Sequence, residues 1–164
     1  MKKLSILLVS ILLLPVLFSN QDASNLVKLQ EPINLAPKEI EVISQPNEVD
    51  LINALINVES RGNDSAVGDK HLVGNEAIGA LQIRPIMVRE VNRILKIKKS
   101  DKRFKMSDRW DREKTIEMFL IWKNFHHSDD NFETVARNWN GGPRGFKNPR
   151  TEKYWTKVQQ ELDI

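Results

Sequence analysis

The sequence contains no cysteine, and this absence removes several classes of chemistry. Without cysteine the chain can form no disulfide, no thiolate metal site and no thiol nucleophile. Only three histidines are present, and two of them, His126 and His127, are adjacent, which leaves little room for a metal centre. We therefore expect no metal and no cofactor, and we look for chemistry in carboxyl, hydroxyl and amide side chains.

The chain also lacks a strong excess of either charge once its first residues are set aside. The full chain has 25 Lys and Arg against 22 Asp and Glu, a net charge of +3. Residues 1–20 hold two lysines and no acid, so the remainder has 23 basic and 22 acidic side chains. A nearly neutral chain gives no electrostatic support for nucleic acid binding, and we expect none.

The longest apolar run is too short for a typical membrane-spanning helix. Lys2 and Lys3 precede "LSILLVSILLLPVLF", fifteen residues in which only two serines and a proline interrupt the apolar pattern. A spanning helix needs about 20 apolar residues, whereas this length is typical of a secretory signal peptide. We predict that residues 1–20 are a signal peptide and that the protein is exported to the periplasm or cell envelope. An uncleaved anchor is the alternative, because "FSNQDAS" is an indifferent cleavage sequence.

The rest of the chain divides into a linker and one domain. Residues 21–46 are polar, carry prolines at 32, 37 and 46, and show no sustained period, which indicates a polar linker. Residues 47–164 are long enough for one modest domain. Helix signals recur through this domain, and we predict a mainly α fold of four or five short helices.

Several capping residues place these helices. Asn47 is a good N-cap for the first helix, and Asp111 for a later one. Asp130, with Glu133 three residues on, predicts a capping box before "NFETVARNW". In "REKTIEMFLIWKNF" one predicted apolar face comprises Ile116, Phe119, Leu120 and Lys123, widened by Trp122.

Two stretches between the helices have a different character. Residues 63–78 are rich in turn residues and indicate an irregular loop or a small hairpin. Residues 96–110, "KIKKSDKRFKMSDRW", are basic and predict an exposed connection. The tryptophans at 110, 122 and 155 are interpreted as core or groove lining.

One carboxylic acid stands where a helix should bury apolar side chains. Ile52, Leu55 and Ile56 precede Glu59 by seven, four and three positions, the offsets of one helix face, and Gly62 is predicted to end the helix. Burial among apolar side chains disfavours a carboxylate, and so does the negative end of a helix dipole. Both effects raise the pKa of Glu59, which keeps a proton available near neutral pH for acid catalysis.

Four segments together resemble one known family. They are "ALINVESRGNDSA", "AIGALQIRP", "VARNWNGGP" and "TEKYWTKV", and they follow one another in that order. These segments are similar to motifs of the lysozyme-like soluble lytic transglycosylase family, which cuts bacterial peptidoglycan. The resemblance extends from about residue 48 to 162, nearly all of the predicted domain. It implies a compact, mainly helical domain of the lysozyme-like α+β superfamily.

The resemblance also implies an activity and the residues that perform it. Glu59 would act alone, first as acid at the bond after N-acetylmuramic acid and then as base, leaving a 1,6-anhydro end. Ser60, Gln82, Asn140 and Tyr154 match the family's substrate-binding positions, and Tyr154 would hold the Glu59 carboxyl group. The expected partner is the peptidoglycan glycan strand, and the expected state is a monomer.

Alternatives remain at several positions. Ser60 could bond its own helix backbone, and Gln82 could be a structural loop amide. Trp139 replaces the family's usual tyrosine and either stacks on a sugar or fills the core.

The reaction itself also has alternatives. Glycoside hydrolysis usually needs two carboxylates, and the candidates for a second are Asp64, Asp69 and Glu76. A hydrolysing muramidase and a non-catalytic glycan-binding envelope protein are therefore the alternative functions.

Overall fold

The computed structural model describes residues 45–163, so the predicted signal peptide and nearly all of the predicted linker lie outside the described residues. Helices dominate the described part, which confirms the mainly α prediction. The helices are α1 (Glu48–Ser60), α2 (Pro85–Ile97), α3 (Arg112–His126), α4 (Phe132–Gly141) and α5 (Glu152–Leu162). The strands are β1 (Val67–Gly68) and β2 (Ala77–Ile78). Three short 3-10 helices span Met106–Trp110, Gly145–Lys147 and Pro149–Thr151.

Helix α1 begins as its cap predicts. The Asn47 side chain accepts hydrogen bonds from the backbone of Val49 and Asp50, and the Asp50 carboxylate accepts one from the Asn47 N–H at 2.8 Å. The helix ends slightly before the predicted position, because Arg61 already adopts the left-handed conformation with φ 55° ahead of Gly62.

The segment after α1 forms the small hairpin. Strands β1 and β2 pair antiparallel, with Val67 opposite Ile78 and Gly68 opposite Ala77. The hairpin continues through Gly79, whose N–H donates to the Ala66 carbonyl at 2.9 Å. Helix α2 then begins at a proline, which suits the first helical position because its missing N–H needs no partner there.

The predicted capping box before α4 is wrong. Asn131 is the N-cap, and its side chain accepts from the Thr134 N–H at 2.9 Å. The Asp130 carboxylate instead contacts His127 Nδ1 at 2.7 Å, and Glu133 pairs with Arg137 at 2.8 Å. Both carboxylates therefore bond to side chains within four residues of themselves, and neither completes a capping box.

The buried face of α3 differs from the predicted one. The buried face of α3 comprises Thr115, Met118, Phe119 and Trp122. Its first residue, Thr115, lies one position before Ile116, where the predicted face begins. Ile116 and Leu120, which were assigned to that stripe, are only partly buried.

The basic connection is anchored, not fully exposed. Phe104 and Arg109 are buried within it, with 5% and 8% of their surface accessible. The Arg109 guanidinium donates to the carbonyls of Met106, Glu76 and Ile83, which joins the connection to the hairpin.

The core sits between the first and last helices and the faces of α2, α3 and α4. Its largest fully buried side chains include Leu51 and Leu55 from α1, Phe119 from α3 and Val158 from α5. Helix α5 packs along α1, and this packing brings the two ends of the domain together. Among the described residues, no helix has both the length and the apolar character needed to cross a membrane.

The turn before α5 is fixed by one buried arginine. Arg137 donates from Nε to the Thr151 hydroxyl at 3.0 Å, and that hydroxyl donates to the Gly145 carbonyl at 2.7 Å. Gly145 lies so close that an added Cβ would stand 1.9 Å from the Arg137 carbonyl oxygen. This close approach sets where α5 begins and therefore which of its side chains face α1.

Candidate active site

Two of the predicted site residues meet directly. Glu59 lies in the last turn of α1, and Tyr154 lies in the first turn of α5. The Tyr154 hydroxyl donates to Glu59 Oε1 at 2.7 Å. The contact joins residues 95 positions apart, and it follows from the packing of α5 along α1.

The surroundings of Glu59 favour its protonated form. Burial raises the pKa of Glu59 from 4.5 to about 7, and the negative charge of Asp69 adds to that rise. The Tyr154 hydrogen bond and the positive charge of Arg84 act the other way. Burial also raises the pKa of Tyr154 well above its ordinary value, so the hydroxyl keeps its proton and remains a donor. The result is a carboxyl group that can both give and take a proton near neutral pH.

Gln82 holds the hairpin in place. Its backbone is in the left-handed region with φ 48°. Its Nε2 donates to the carbonyls of Gly79 at 2.9 Å and Ala66 at 3.3 Å. Gly68 packs against the other side of the amide, where an added Cβ would stand 2.3 Å from Gln82 Oε1. These contacts agree with the alternative in which Gln82 is a structural loop amide.

Ser60 bonds to its own helix, and Asn140 lies at the surface. The Ser60 hydroxyl donates to the Ile56 carbonyl at 3.1 Å, which is the backbone bond weighed as its alternative. Asn140 is exposed near the C-terminal end of α4. Within residues 45–163, no side-chain hydrogen bond joins either residue to Glu59.

The three candidate second carboxylates differ in what they contact. Asp64 pairs with Arg112 at 2.8 Å, and Glu76 accepts from the Gly74 N–H at 3.0 Å. Asp69 pairs with Arg84, and of these three acids it alone shifts the pKa of Glu59.

Arg84 is the neighbour of the site that sequence reasoning missed. It occupies the N-cap position of α2 without making a capping hydrogen bond, where Ser, Thr, Asp or Asn is preferred. The sequence already shows an arginine directly before Pro85, where a capping residue is expected, and this could have drawn attention to Arg84.

Trp139 fills the core. Its ring lies edge-on to Phe119 and to Trp122, with centroids 5.1 Å away in each case. The core-filling interpretation of this tryptophan therefore fits the structure better than sugar stacking. Across residues 45–163, no cluster of three or more histidine or carboxylate side chains is placed to hold a metal ion.

Comparison with known proteins gives a lysozyme-related likeness. No protein-family profile matches the chain. A stretch of 31 residues, 19% of this chain, is 55% identical to a lysozyme from Magallana gigas, and it spans only 23% of that protein. The fold is similar to a chain in the crystal structure of Aeromonas hydrophila PliI in complex with Meretrix lusoria lysozyme. That match has a TM-score of 0.54 and 20% identity, and it covers 68% of this chain and 87% of that one. At such identity the match establishes a shared fold.

Proposed function

We propose that the protein is a peptidoglycan lytic transglycosylase that cleaves the β-1,4 bond between N-acetylmuramic acid and N-acetylglucosamine. The observation that carries the proposal is the partly buried Glu59 side chain, whose carboxyl accepts from the Tyr154 hydroxyl at 2.7 Å and has a pKa of about 7. A carboxyl group in this state suits a reaction that needs one residue as acid and then as base.

The proposed reaction uses Glu59 twice. In the first step the protonated Glu59 gives its proton to the glycosidic oxygen, the bond from that oxygen to C1 of the muramic acid breaks, and N-acetylglucosamine leaves. The acetamide of the muramic acid stabilises the positive charge at C1. In the second step the Glu59 carboxylate takes the proton of the C6 hydroxyl, whose oxygen bonds to C1. The product is a 1,6-anhydro end, and Glu59 is protonated again.

The neighbours of Glu59 have separate parts in this proposal. Tyr154 and the charge of Arg84 stabilise the carboxylate formed between the two steps, because both favour the ionised form. Gln82 shapes the hairpin beside the acid through its two backbone contacts. Ser60 and Asn140 are proposed to contact the sugar, and Ser60 would then exchange its bond to the helix backbone for one to substrate.

The proposal extends to where the protein acts. Residues 1–20 would direct export to the periplasm or cell envelope, residues 21–46 would be a linker, and residues 47–164 would be the working domain. We propose that this domain acts as a monomer on glycan strands, without metal or nucleic acid.

Product analysis tests the activity and the reaction type together. Purified protein is incubated with isolated peptidoglycan, and the released muropeptides are measured by mass spectrometry. We expect muramic acid ends lighter by one water than hydrolysis products, and no release by the Glu59→Gln variant. A wild-type protein that binds the wall and releases nothing would move the assignment to a non-catalytic glycan-binding protein.

A hydrolysing muramidase is the second candidate. It is favoured by the position of Asp69, whose charge acts on Glu59, and by the likeness to lysozymes. A second carboxylate near the acid could direct a water molecule or stabilise the cation. Reducing, hydrated ends that incorporate oxygen from labelled water, together with a large loss of activity in Asp69→Asn, would establish this reaction.

A further inference from the structure

Trp110 is exposed although most of the other tryptophans pack inward. Its accessible fraction is 45%, whereas Trp122 retains only 7%. Trp139 and Trp155 are partly buried and pack against the core. The exposed part of this indole is free to contact a ligand.

The exposed indole lines a broad depression of about 650 Å³. The remaining lining consists of polar side chains from residues 107–114. The depression does not include Glu59, so it is a different place from the candidate active site. The depression is shallow and open to solvent, so it could contact one face of a ligand and not enclose it.

The backbone that carries Trp110 is held firmly on both sides. Arg109 is buried and bonds three backbone carbonyls, two of them in the hairpin region. The Asp108 carboxylate accepts from the Lys105 N–H at 2.7 Å, and the Asp111 side chain caps α3 through the Lys114 N–H at 3.1 Å. The indole is therefore presented by a fixed 3-10 helix, so a ligand need not order this segment on binding.

Acidic side chains outnumber basic ones around the indole, because Asp108, Asp111 and Glu113 lie beside Arg112 and Lys114. Lys114 pairs with Asp108 at 2.7 Å and lies 4.0 Å from Asp111. Arg112 pairs with Asp64 at 2.8 Å. Since both cations already have carboxylate partners, the depression offers little attraction for an anionic polymer. An aromatic face surrounded by polar and mostly acidic side chains suits a neutral sugar, which has an apolar C–H face and a rim of hydroxyl and amide groups.

The depression is tied to the loop that follows Glu59. Arg112 donates to the carbonyl of Gly62, and it pairs with Asp64 two residues further on. Gly79 packs so closely on the Trp110 segment that an added Cβ would stand 2.0 Å from the Arg109 carbonyl oxygen. The segment that carries Trp110 is therefore fixed against the same loop and hairpin that follow Glu59 in the chain.

We propose that Trp110 and its depression form a secondary glycan-binding site, which takes a neutral N-acetylhexosamine unit of the wall strand by stacking on the indole. The substrate class rests on the proposed function, but the site acts in binding and not in bond cleavage.

The test measures binding without turnover. Glu59→Gln protein is pelleted with insoluble peptidoglycan and titrated with chitohexaose, a neutral N-acetylglucosamine oligomer, while the indole N–H resonances are followed by NMR. In that background Trp110→Ala is compared with Trp110→Phe. Phe125→Ala is the control, because Phe125 is an exposed aromatic residue on α3, outside the depression. We expect Trp110→Ala to weaken wall binding about tenfold, the equivalent of about 1.4 kcal/mol. Trp110→Phe should restore most of the binding, and Phe125→Ala should change nothing.

Two results would overturn the site. One is equal wall binding by Trp110→Ala and the Phe125→Ala control; the other is a Trp110 indole resonance that does not move with chitohexaose. Thermal melts establish that each variant is folded. Wall cleavage by the wild type with no effect of Trp110 would refute this site alone. Trp110-dependent binding without any cleavage would refute the proposed activity and keep the site.

Discussion

The end of α1 and the loop that follows it both carry carboxyl groups, but the partners of these groups differ in charge. Glu59 is enclosed against α5, with a neutral hydroxyl as its hydrogen-bond partner. Asp64 and Asp69 in the loop pair with arginines, and Glu76 accepts a backbone N–H. Burial without a paired cation raises the pKa of Glu59, whereas backbone N–H donors lower the pKa of Glu76. The difference explains why one acid among four is suited to proton transfer.

The largest expected effect is that of Glu59→Gln on activity. The amide keeps the shape of the side chain but cannot transfer a proton, so we expect wall clearing to fall by about 10²–10⁴-fold. Turbidity clearing of a cell-wall suspension measures the change. Clearing retained at the wild-type rate would remove Glu59 from the mechanism.

The same substitution should stabilise the fold above neutral pH. The folded pKa of Glu59, about 7, lies above its unfolded value of 4.5, so the folded state binds more protons between those pH values. Stability from this group is present below pH 4.5 and is lost as the pH rises to 7. Glu59→Gln should therefore raise the free energy of unfolding by up to about 3 kcal/mol at pH 8 and leave it unchanged at pH 4. Urea unfolding at the two pH values measures it, and equal effects at both would contradict the shift.

Tyr154→Phe should produce the next largest effect. Losing a hydrogen bond to a charged group costs about 1.5–3 kcal/mol, so we expect activity to fall by about 10–100-fold. Because this bond lowers the pKa of Glu59, its removal should also move the basic limb of the pH–rate profile to higher pH. An unshifted profile would show that the hydroxyl does not act on Glu59.

The charged pair beside the acid should give smaller and opposite shifts. Asp69→Asn removes a charge that raises the pKa of Glu59, so the basic limb should move to lower pH. Arg84→Gln removes a charge that lowers it, so the limb should move to higher pH. Shifts in the same direction for both variants would contradict the electrostatic account.

The smallest effects are expected at the other two loop acids. Asp64→Asn and Glu76→Gln should leave the pH–rate profile unchanged and reduce the rate only modestly, because neither charge acts on Glu59. The products should also be unchanged. A collapse of activity in either variant would identify a second carboxylate and undo the contrast between the two regions.

Local sequence rules predicted much of the fold. Caps at Asn47 and Asp111 and the proline at the start of α2 placed three helices, because each signal acts within four residues of itself. Glu59 stood out for the same reason, since its apolar neighbours share its helix. Its contact with Tyr154 was available only from the family resemblance.

Asp130 and Arg109 have partners that the sequence pattern did not indicate. Asp130 looked like a cap, but His127 engages its carboxylate. Arg109 looked like one more exposed base, yet it is buried against carbonyls 26 and 33 residues away in the chain. The sugar contact expected of Gln82 stays a prediction, and in the structure its amide braces the hairpin. No local pattern reveals the contacts of Arg109, because the fold brings those carbonyls to it.

The central claim is that burial raises the pKa of Glu59 to about 7, so that its carboxyl group exchanges a proton near neutral pH. A ¹³C NMR titration of the side-chain carboxyl carbons tests it most directly, with the Glu59→Gln spectrum assigning the resonance that disappears. We expect that resonance to titrate near pH 7, well above the ordinary value of 4.5. A Glu59 resonance that titrates near 4.5 together with the other glutamates would contradict the account.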